Sequence, residues 1–322
     1  MQRVLYILWI VGLLTTGSAA QEQYPTKPVT IVVPTAPGAL VDTIARALGQ
    51  RLSETWKQPV IIENKSGANS QIGAVAVARA QPDGYVLLIA PDATFAINQH
   101  LYPALQYDPF RNFAPITAVG RIDQALIVHS SVPATSFQEL VALAKSKPGG
   151  LTYGTVGAGS SMHLNFELMQ QIGQFKLLAV HYRGGAPALS DVLAGTVSMM
   201  LVSPAPAAEA AETGSVRLLA TGGLQRLSNL PNVPTISESG LAGFEAYTWV
   251  GLVAPAGTPQ PVVDKINNDV RQILSDADFE RKFLAPNMLK SIATSPSEFA
   301  VFMKNESEKW GNVIHEIGLK IN

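Results

Sequence analysis

The residues with chemistry to offer in this chain are small ones placed where helices begin. In Tyr153-Gly-Thr-Val-Gly-Ala-Gly-Ser-Ser-Met-His163, glycines at 154, 157 and 159 let backbone amides approach a ligand, and Ser160 or Ser161 can cap the helix that follows. The unpaired N–H groups of a first helical turn favour an anion. A second such place is Pro34 to Asp42. There a β-branched run, Val29 to Val33, breaks at Pro34 and Pro37-Gly38 and gives way to helical spacing, with Leu40, Ile44, Ala45, Leu48 and Leu52 on one face. At the carboxyl edge of an α/β sheet that turn is where ligands bind, although alone it also fits an ordinary strand–helix connection. Arg183, ahead of Gly184-Gly185 and another helix start, can pair with a carboxylate or stand solvated on its turn.

Other chemistries find little support. The glycine-rich stretch lacks the Gly-Lys-Ser/Thr of a phosphate loop and the residue order of a G-x-S-x-G nucleophile elbow. A secreted serine hydrolase using Ser160 or Ser161 is a remote alternative, because His163 is too near in sequence to be presumed well aimed and no partner acid is suggested. His163 is more simply a half-buried helix residue or a side wall of a cleft. His100, His129, His181 and His315 fall in no metal-ligand spacing, and the chain has no cysteine, so neither metal nor cofactor is expected. No catalytic residue is assigned. With 23 basic and 24 acidic residues and no basic cluster, nucleic acid is not an expected partner.

The elements that would position these turns alternate. Strands at Val29–Val33, Val60–Glu63 and Tyr85–Ala90 each run through a turn towards a helix, the last through the polar turn Pro91 to Thr94, and the series predicts a parallel sheet with right-handed crossovers. Beyond Phe113 the pattern changes. Short strands at 114–119 and 125–129 flank the polar Arg121-Ile-Asp-Gln124, and a helix follows from the cap at Ser136. A second α/β series runs from Thr152 to Thr221, the Pro/Gly-rich 230–244 reads as a long surface connection, and 247–254 is again strand-like. Helices from Pro259, Asp278 and Ser297 finish the chain. At 322 residues two domains are the default. We expect segments 21–122 and 247–322 to form one discontinuous domain and 123–246 the other, with two crossovers acting as a hinge about a cleft.

The N-terminus reads separately. Arg3, an apolar run from Val4 to Leu14, and Ser18-Ala19-Ala20 have the form of a signal peptide, residues 1–20, cleaved near Ala20. No other stretch approaches about 18 continuous apolar residues, so the mature chain is not expected to be membrane-embedded. Export without cysteine fits a bacterial periplasm.

A resemblance then becomes specific. Tyr24-Pro-Thr-Lys-Pro28, Pro37-Gly38 with Asp42 and Ala45-Arg46, Asn64-Lys65 with Gly67-Ala68, and Pro82-Asp83-Gly84-Tyr85 resemble the Bug family, the TctC-like extracytoplasmic solute receptors of tripartite tricarboxylate transporters. The match resumes at Tyr153-Gly154, Gly157-x-Gly159-Ser160, His163-Leu164, Tyr182-x-Gly184 and Val233-Pro234-Thr235. It continues to Ala254-Pro255-x-Gly257-Thr258-Pro259, and so spans nearly the whole mature chain. The resemblance implies an α/β, two-lobed periplasmic binding protein (type II-like), two Rossmann-like domains joined by two crossovers. It implies a monomer that closes on a small carboxylate, held largely by backbone amides and waters. One wall would be Ala36, Pro37, Gly38, Ala39 and Asp42, with Asn69, Ser70, Asp92 and Thr94 beside it. The facing wall would be Val156, Gly157, Ala158, Gly159, Ser160, Ser161 and His163, with Arg183-Gly184 and Ser203 nearby. This chain departs from the family pattern at Ala39, Asn69 and Ser70, where glycine is usual, and at Val202-Ser203, where an Asp-Asn pair is common. Loss of the acid argues against an amino-acid ligand.

The expected function is capture of a small organic acid, a dicarboxylate or aromatic carboxylate, by hinge closure and delivery to the transporter's membrane subunits. The alternative is an orphan sensory receptor of the same fold that signals to a membrane kinase.

Overall fold

The computed structural model describes residues 24–321; the signal peptide read at 1–20 lies outside them. Two sheets form. The first takes β1 (Val29–Val33), β2 (Val60–Asn64), β3 (Val86–Pro91), β4 (Phe113–Asp123), β10 (Tyr247–Pro255) and β11 (Lys290–Ser291), in the order β11-β4-β10-β3-β1-β2. The second takes β5 (Ala125–His129), β6 (Thr152–Thr155), β7 (Leu178–His181), β8 (Met199–Val202) and β9 (Val216–Thr221), in the order β7-β6-β8-β5-β9. The expected all-parallel series holds for β1, β2 and β3, but β10 enters antiparallel to both β3 and β4, so the first sheet is mixed.

Alternation within the strands assigns their two faces. Ile31, Val33, Leu87 and Ile89 face one way, against α1 (Leu40–Trp56) and α8 (Gln260–Leu274). Val32, Leu88, Ala90 and Trp249 face α2 (Gln71–Ala78), α3 (Asn98–Leu101) and the long α10 (Pro296–Ile317). In the second sheet Leu126, Val128, Met199 and Leu201 pack under α4 (Phe137–Ser146) and α5 (Ser161–Gly173). Ala125, Ile127, Met200 and Val202 pack under α6 (Gly185–Leu193) and α7 (Pro204–Glu212). The short α9 (Ala277–Phe279) runs into a π-helical turn. The face of α1 read from spacing is the buried one: Ile44, Ala45, Leu48 and Leu52 are all at most 1% exposed. Each of the larger of these side chains contributes roughly 1.5–3 kcal/mol by leaving water.

Three sequence expectations need correction. The segment after β3 is not a polar turn; Asp92 accepts the Ala93 N–H and caps a π-helical turn, Ala93–Ile97, that runs into α3. The charged Arg121–Asp123 does not break a strand but completes β4, because distant Glu245 and Lys290 neutralise it there. The 230–244 connection is not merely surface: Ile236 and Phe244 are buried in the second core, and Thr235 bridges to Thr221.

Topology fixes how the lobes face. Both β3 and β4 run antiparallel to β10, so β4 leaves at Asp123 on the carboxyl edge of the first sheet. After Gln124 the chain enters β5 with Ala125 opposite Val202, the carboxyl end of β8. Tyr247, at the start of β10, sits opposite Asp123. Both crossovers therefore join carboxyl edge to carboxyl edge, and every turn named above as a candidate wall lies on one of those two edges.

Candidate functional site

On the first edge, Asp42 decides the shape of the 35–39 turn. Its carboxylate is 2% exposed and accepts from Gly38 N–H at 2.8 Å, Arg46 Nε at 2.9 Å and Asn64 Nδ2 at 2.9 Å, while Asn64 also holds Thr35 O. Burial opposes the charge, but these hydrogen bonds outweigh it and hold the carboxyl below its usual range. Asp42 thus points inward and fixes the loop, while Ala36, Pro37 and Gly38 stay exposed and Gly38 takes φ +80°. Ala39 stands at the N-cap of α1.

Ala68, Asn69 and Ser70 all adopt left-handed backbone, with φ of 46°, 49° and 72°. Glycine adopts it without penalty, whereas a side chain there carries strain. Here Asn69 gains a compensating pair: its Nδ2 donates to Asn98 Oδ1 at 2.8 Å, and Asn98 Nδ2 returns a bond to Asn69 O.

On the second edge, His163 plays the part Asp42 plays on the first. Gly159 N–H donates to His163 Nδ1 at 3.0 Å, so the ring is the Nε2–H tautomer, and Nε2 lies 3.7 Å from Glu167. Burial pushes His163 down to about 4, with His181 adding to the effect and Glu167 opposing it. Ser160 caps α5: it accepts from His163 N–H at 3.3 Å and donates to Gly157 O at 2.8 Å. The hydroxyl and the imidazole are therefore occupied separately by the backbone, and no Ser–His dyad forms between them. Gly157 takes φ +138° in open space. Gly159 takes φ +74°, and a Cβ there would collide with Leu101 Cδ1. Val156 is exposed, and Ala158 is partly so.

Arg183 is exposed and has no carboxylate at ion-pair distance among the described residues. Ser203 stands at the N-cap of α7, but Pro204 and Pro206 lack N–H groups, so this helix start is poor in donors. Val202 turns into the second core. Among the described residues, α1, α2 and α6 have no side-chain cap at their starts, which leaves backbone N–H groups there for a ligand or water.

Asp92 lies on the first edge, is 2% exposed and accepts from Thr248 Oγ1 at 3.0 Å. Desolvation pushes it up to about 7, Glu306 adds repulsion, and the hydrogen bonds work against the rise. Thr94 is 1% exposed, and its Oγ1 has no partner among the described residues.

Sequence reading missed Thr248, Asn98, Glu167, and the pair Gln124–Asn165, where Asn165 Nδ2 on α5 bonds Gln124 Oε1 and Tyr247 O. Contacts such as Thr248 with Asp92 and Gln124 with Asn165 join residues far apart along the chain and leave no local signal, while Glu167, one turn after His163, looks in sequence like any solvated helix acid. Concavity is not confined to the edges either: a depression of about 710 Å³ lies by His100, Asn312 and Lys320. What sets the edges apart is that the uncapped starts of α1, α2 and α6 all lie on them. Among the described residues, no group of three or more His, Asp or Glu side chains gathers as metal ligands, and no helix is long and apolar enough to cross a membrane.

Comparison with known proteins agrees on one family. The model of the tripartite tricarboxylate transporter family receptor matches residues 44–319. The protein BugT of Bordetella pertussis is 30% identical over 325 residues, covering 100% of this chain and 99% of its own. Among solved structures, R. palustris Rpa4515 with adipate superposes with a TM-score of 0.85 at 32% identity, over 92% of this chain and 100% of that one. MatC from Rhodopseudomonas palustris with bound malate superposes at 0.79 and 30%, over 90% and 100%.

Proposed function

Because the chain belongs to the tripartite tricarboxylate transporter receptor family, we propose that it captures a small organic acid between its lobes and hands it to the membrane subunits of such a transporter. The lobes would be residues 24–122 with 247–321, and 123–246, closing by hinge motion in the periplasm after cleavage near Ala20. The observation that carries this reading is the meeting of two carboxyl edges whose helix starts at α1, α2 and α6 are uncapped. Helix starts supply partial positive charge without burying a cation, which suits a carboxylate that must be released again. Bound adipate and malate in the two similar structures support a dicarboxylate. Ala36 to Ala39, Asn69, Ser70, Gly157, Ala158 and Ser161 would line the site, with Arg183 placed for a second carboxylate. Asp42, Ser160 and His163 would shape it from behind.

The experiment is a thermal-shift panel of dicarboxylates, aromatic acids and amino acids, followed by calorimetry. At least one dicarboxylate should bind with a Kd on the order of micromolar, about −8 kcal/mol. Failure of every organic acid to stabilise the protein would overturn the reading. For the hydrolase alternative the separated Ser160 and His163 offer no nucleophile–base pair.

A further inference from the structure

Helix α5 packs under the second sheet, yet one stripe of it is seated on the first lobe. Leu164, 0% exposed, is part of the first-lobe core with Leu101 of α3 and Trp310, Val313 and Ile314 of α10. Leu168, one turn on, packs against the cores of both lobes, and Gln171 after it pairs with Glu316 of α10. Residues 164, 168 and 171 share one helical face, so α5 rides on the first lobe instead of standing free across a cleft. Asn165 beside them bonds Gln124 and Tyr247 at the crossovers. The 157–160 loop, which leads into α5, is thereby brought against the first lobe as well.

What it meets there is the segment that follows α10. Gly318, left-handed at φ 65°, ends that helix with a Schellman pair: its own N–H goes to His315 O at 3.2 Å and the Leu319 N–H to Ile314 O at 3.1 Å. The turn sends the chain back to α3, where Ile321 N–H donates to Leu101 O at 3.1 Å. Leu101 and Ile321 then close on Gly159. The place a Cβ would take there lies 3.1 Å from Ile321 Cδ1 and still nearer to Leu101 Cδ1. The Gly159 N–H is in turn held by His163. One residue of its own lobe and two of the other therefore fix the loop.

We propose that Ile321, seated on Leu101, is a positioning residue for ligand capture: it sets how far the 157–160 loop stands from the first wall, without touching the ligand itself. This rests on the carboxylate reading given above and deepens it. Close packing locates a loop sharply, because a gap of about 1 Å forfeits up to roughly half of the dispersion attraction across it. Hydrogen bonds from loop amides to a carboxylate weaken steeply once misdirected. Without the Ile321 side chain the loop is held from its own lobe and by Leu101 alone, so part of the binding free energy goes into ordering it.

The test is a series at residue 321 with two readouts. Ile321→Val removes the Cδ1 methyl that faces Gly159, Ile321→Ala removes more of the side chain, and Ile321→Met keeps its reach. Calorimetry with adipate, malate and benzoate reads affinity, and amide NMR of the unliganded proteins reads the loop. Ile321→Ala should weaken Kd roughly tenfold, within the range for a contact remote from the ligand, with Ile321→Val between and Ile321→Met close to wild type. The Gly157 and Gly159 amide signals should move in the same order, whereas a segment that only completed the first-lobe core would leave them in place. Unmoved loop signals, or an unchanged Kd in Ile321→Ala, would overturn the proposal while leaving the receptor reading intact. If none of the three acids binds the wild type, the receptor reading falls and the role in capture with it. Where Ile321→Ala folds poorly, Ile321→Val decides, since it deletes a single methyl.

Discussion

His163 can hold the glycine-rich loop only while Nδ1 is free of a proton, since that nitrogen accepts the Gly159 N–H. Its folded-state value near 4 lies below the ordinary 6.5. The unfolded chain therefore binds more protons between these values, and the histidine's contribution is present above about pH 6.5 and lost as pH falls through 4. The span corresponds to about 3 kcal/mol. Asp92 acts in the opposite sense: its folded value near 7 exceeds the ordinary one, so stability from its protonated form is present below about pH 4 and lost as pH rises through 7. The two slopes offset each other between pH 4 and 6.5 in the wild type. Urea titrations of the wild type should show there the slope left by other groups, among them His100 and His181, which burial also lowers. Against that slope, Asp92→Asn should rise more steeply with pH, and His163→Gln less steeply. Parallel profiles for all three proteins would refute the assignment. Neither role was spelled out in the sequence, where Asp92 read as a ligand contact and His163 as a half-buried helix residue or a side wall of the cleft, because a side chain that ties down its own loop leaves the same trace as one that touches a ligand.

At the scale of elements, the glycines of the two walls separate into kinds. Gly38 has φ +80° and nothing within 4 Å of where a Cβ would stand, so Gly38→Ala costs only backbone strain, about 1 kcal/mol. Gly159 combines φ +74° with contact against Leu101 of α3 and Ile321, so Gly159→Ala also forces the lobes apart and should cost roughly 2–4 kcal/mol. Chemical denaturation should rank the two in that order, and equal losses would mean the α3 contact is absent in solution. Ser70, at φ +72° before α2, works the other way: Ser70→Gly should stabilise by up to about 1 kcal/mol, whereas Asn69→Gly forfeits the Asn98 pair and should not. Most elements were legible, because β-branched runs bounded by proline and glycine, and caps such as Ser136 and Ser295, are local signals. The end of β4 was not. Arg121-Ile-Asp reads as a turn until Glu245 and Lys290, more than a hundred residues away, neutralise it. Burial of 230–244 was hidden likewise, since Ile236 and Phe244 stand singly among prolines and glycines.

For the whole molecule, the decisive feature is that two short crossovers carry all strand-to-strand continuity between the sheets, and one ion cluster binds them together. Gln124 N–H donates to Ala246 O at 2.8 Å, and Arg121 reaches both Asp123, at 2.5 Å, and Glu245, at 2.6 Å. Its guanidinium also lies 3.9 Å over the Tyr247 ring. Asp123 has a fully buried side chain and otherwise relies on Lys290 at 2.6 Å. Arg121→Ala leaves that carboxylate half-paired, and removing one partner of a buried pair costs about 3–5 kcal/mol. Because the cluster spans both crossovers, the variant should also loosen the angle between the lobes. Small-angle scattering reads this directly. A closed chain of this size has a radius of gyration near about 19 Å, and open lobes exceed it. In the wild type, saturating adipate or malate, whichever binds, should lower the radius. In Arg121→Ala the unliganded radius should be larger and the ligand-induced fall greater, with a weaker Kd, because closing a looser hinge costs more order. If the variant loses stability but keeps the wild-type radius with and without ligand, the cluster holds β4 and β10 in place without governing the hinge.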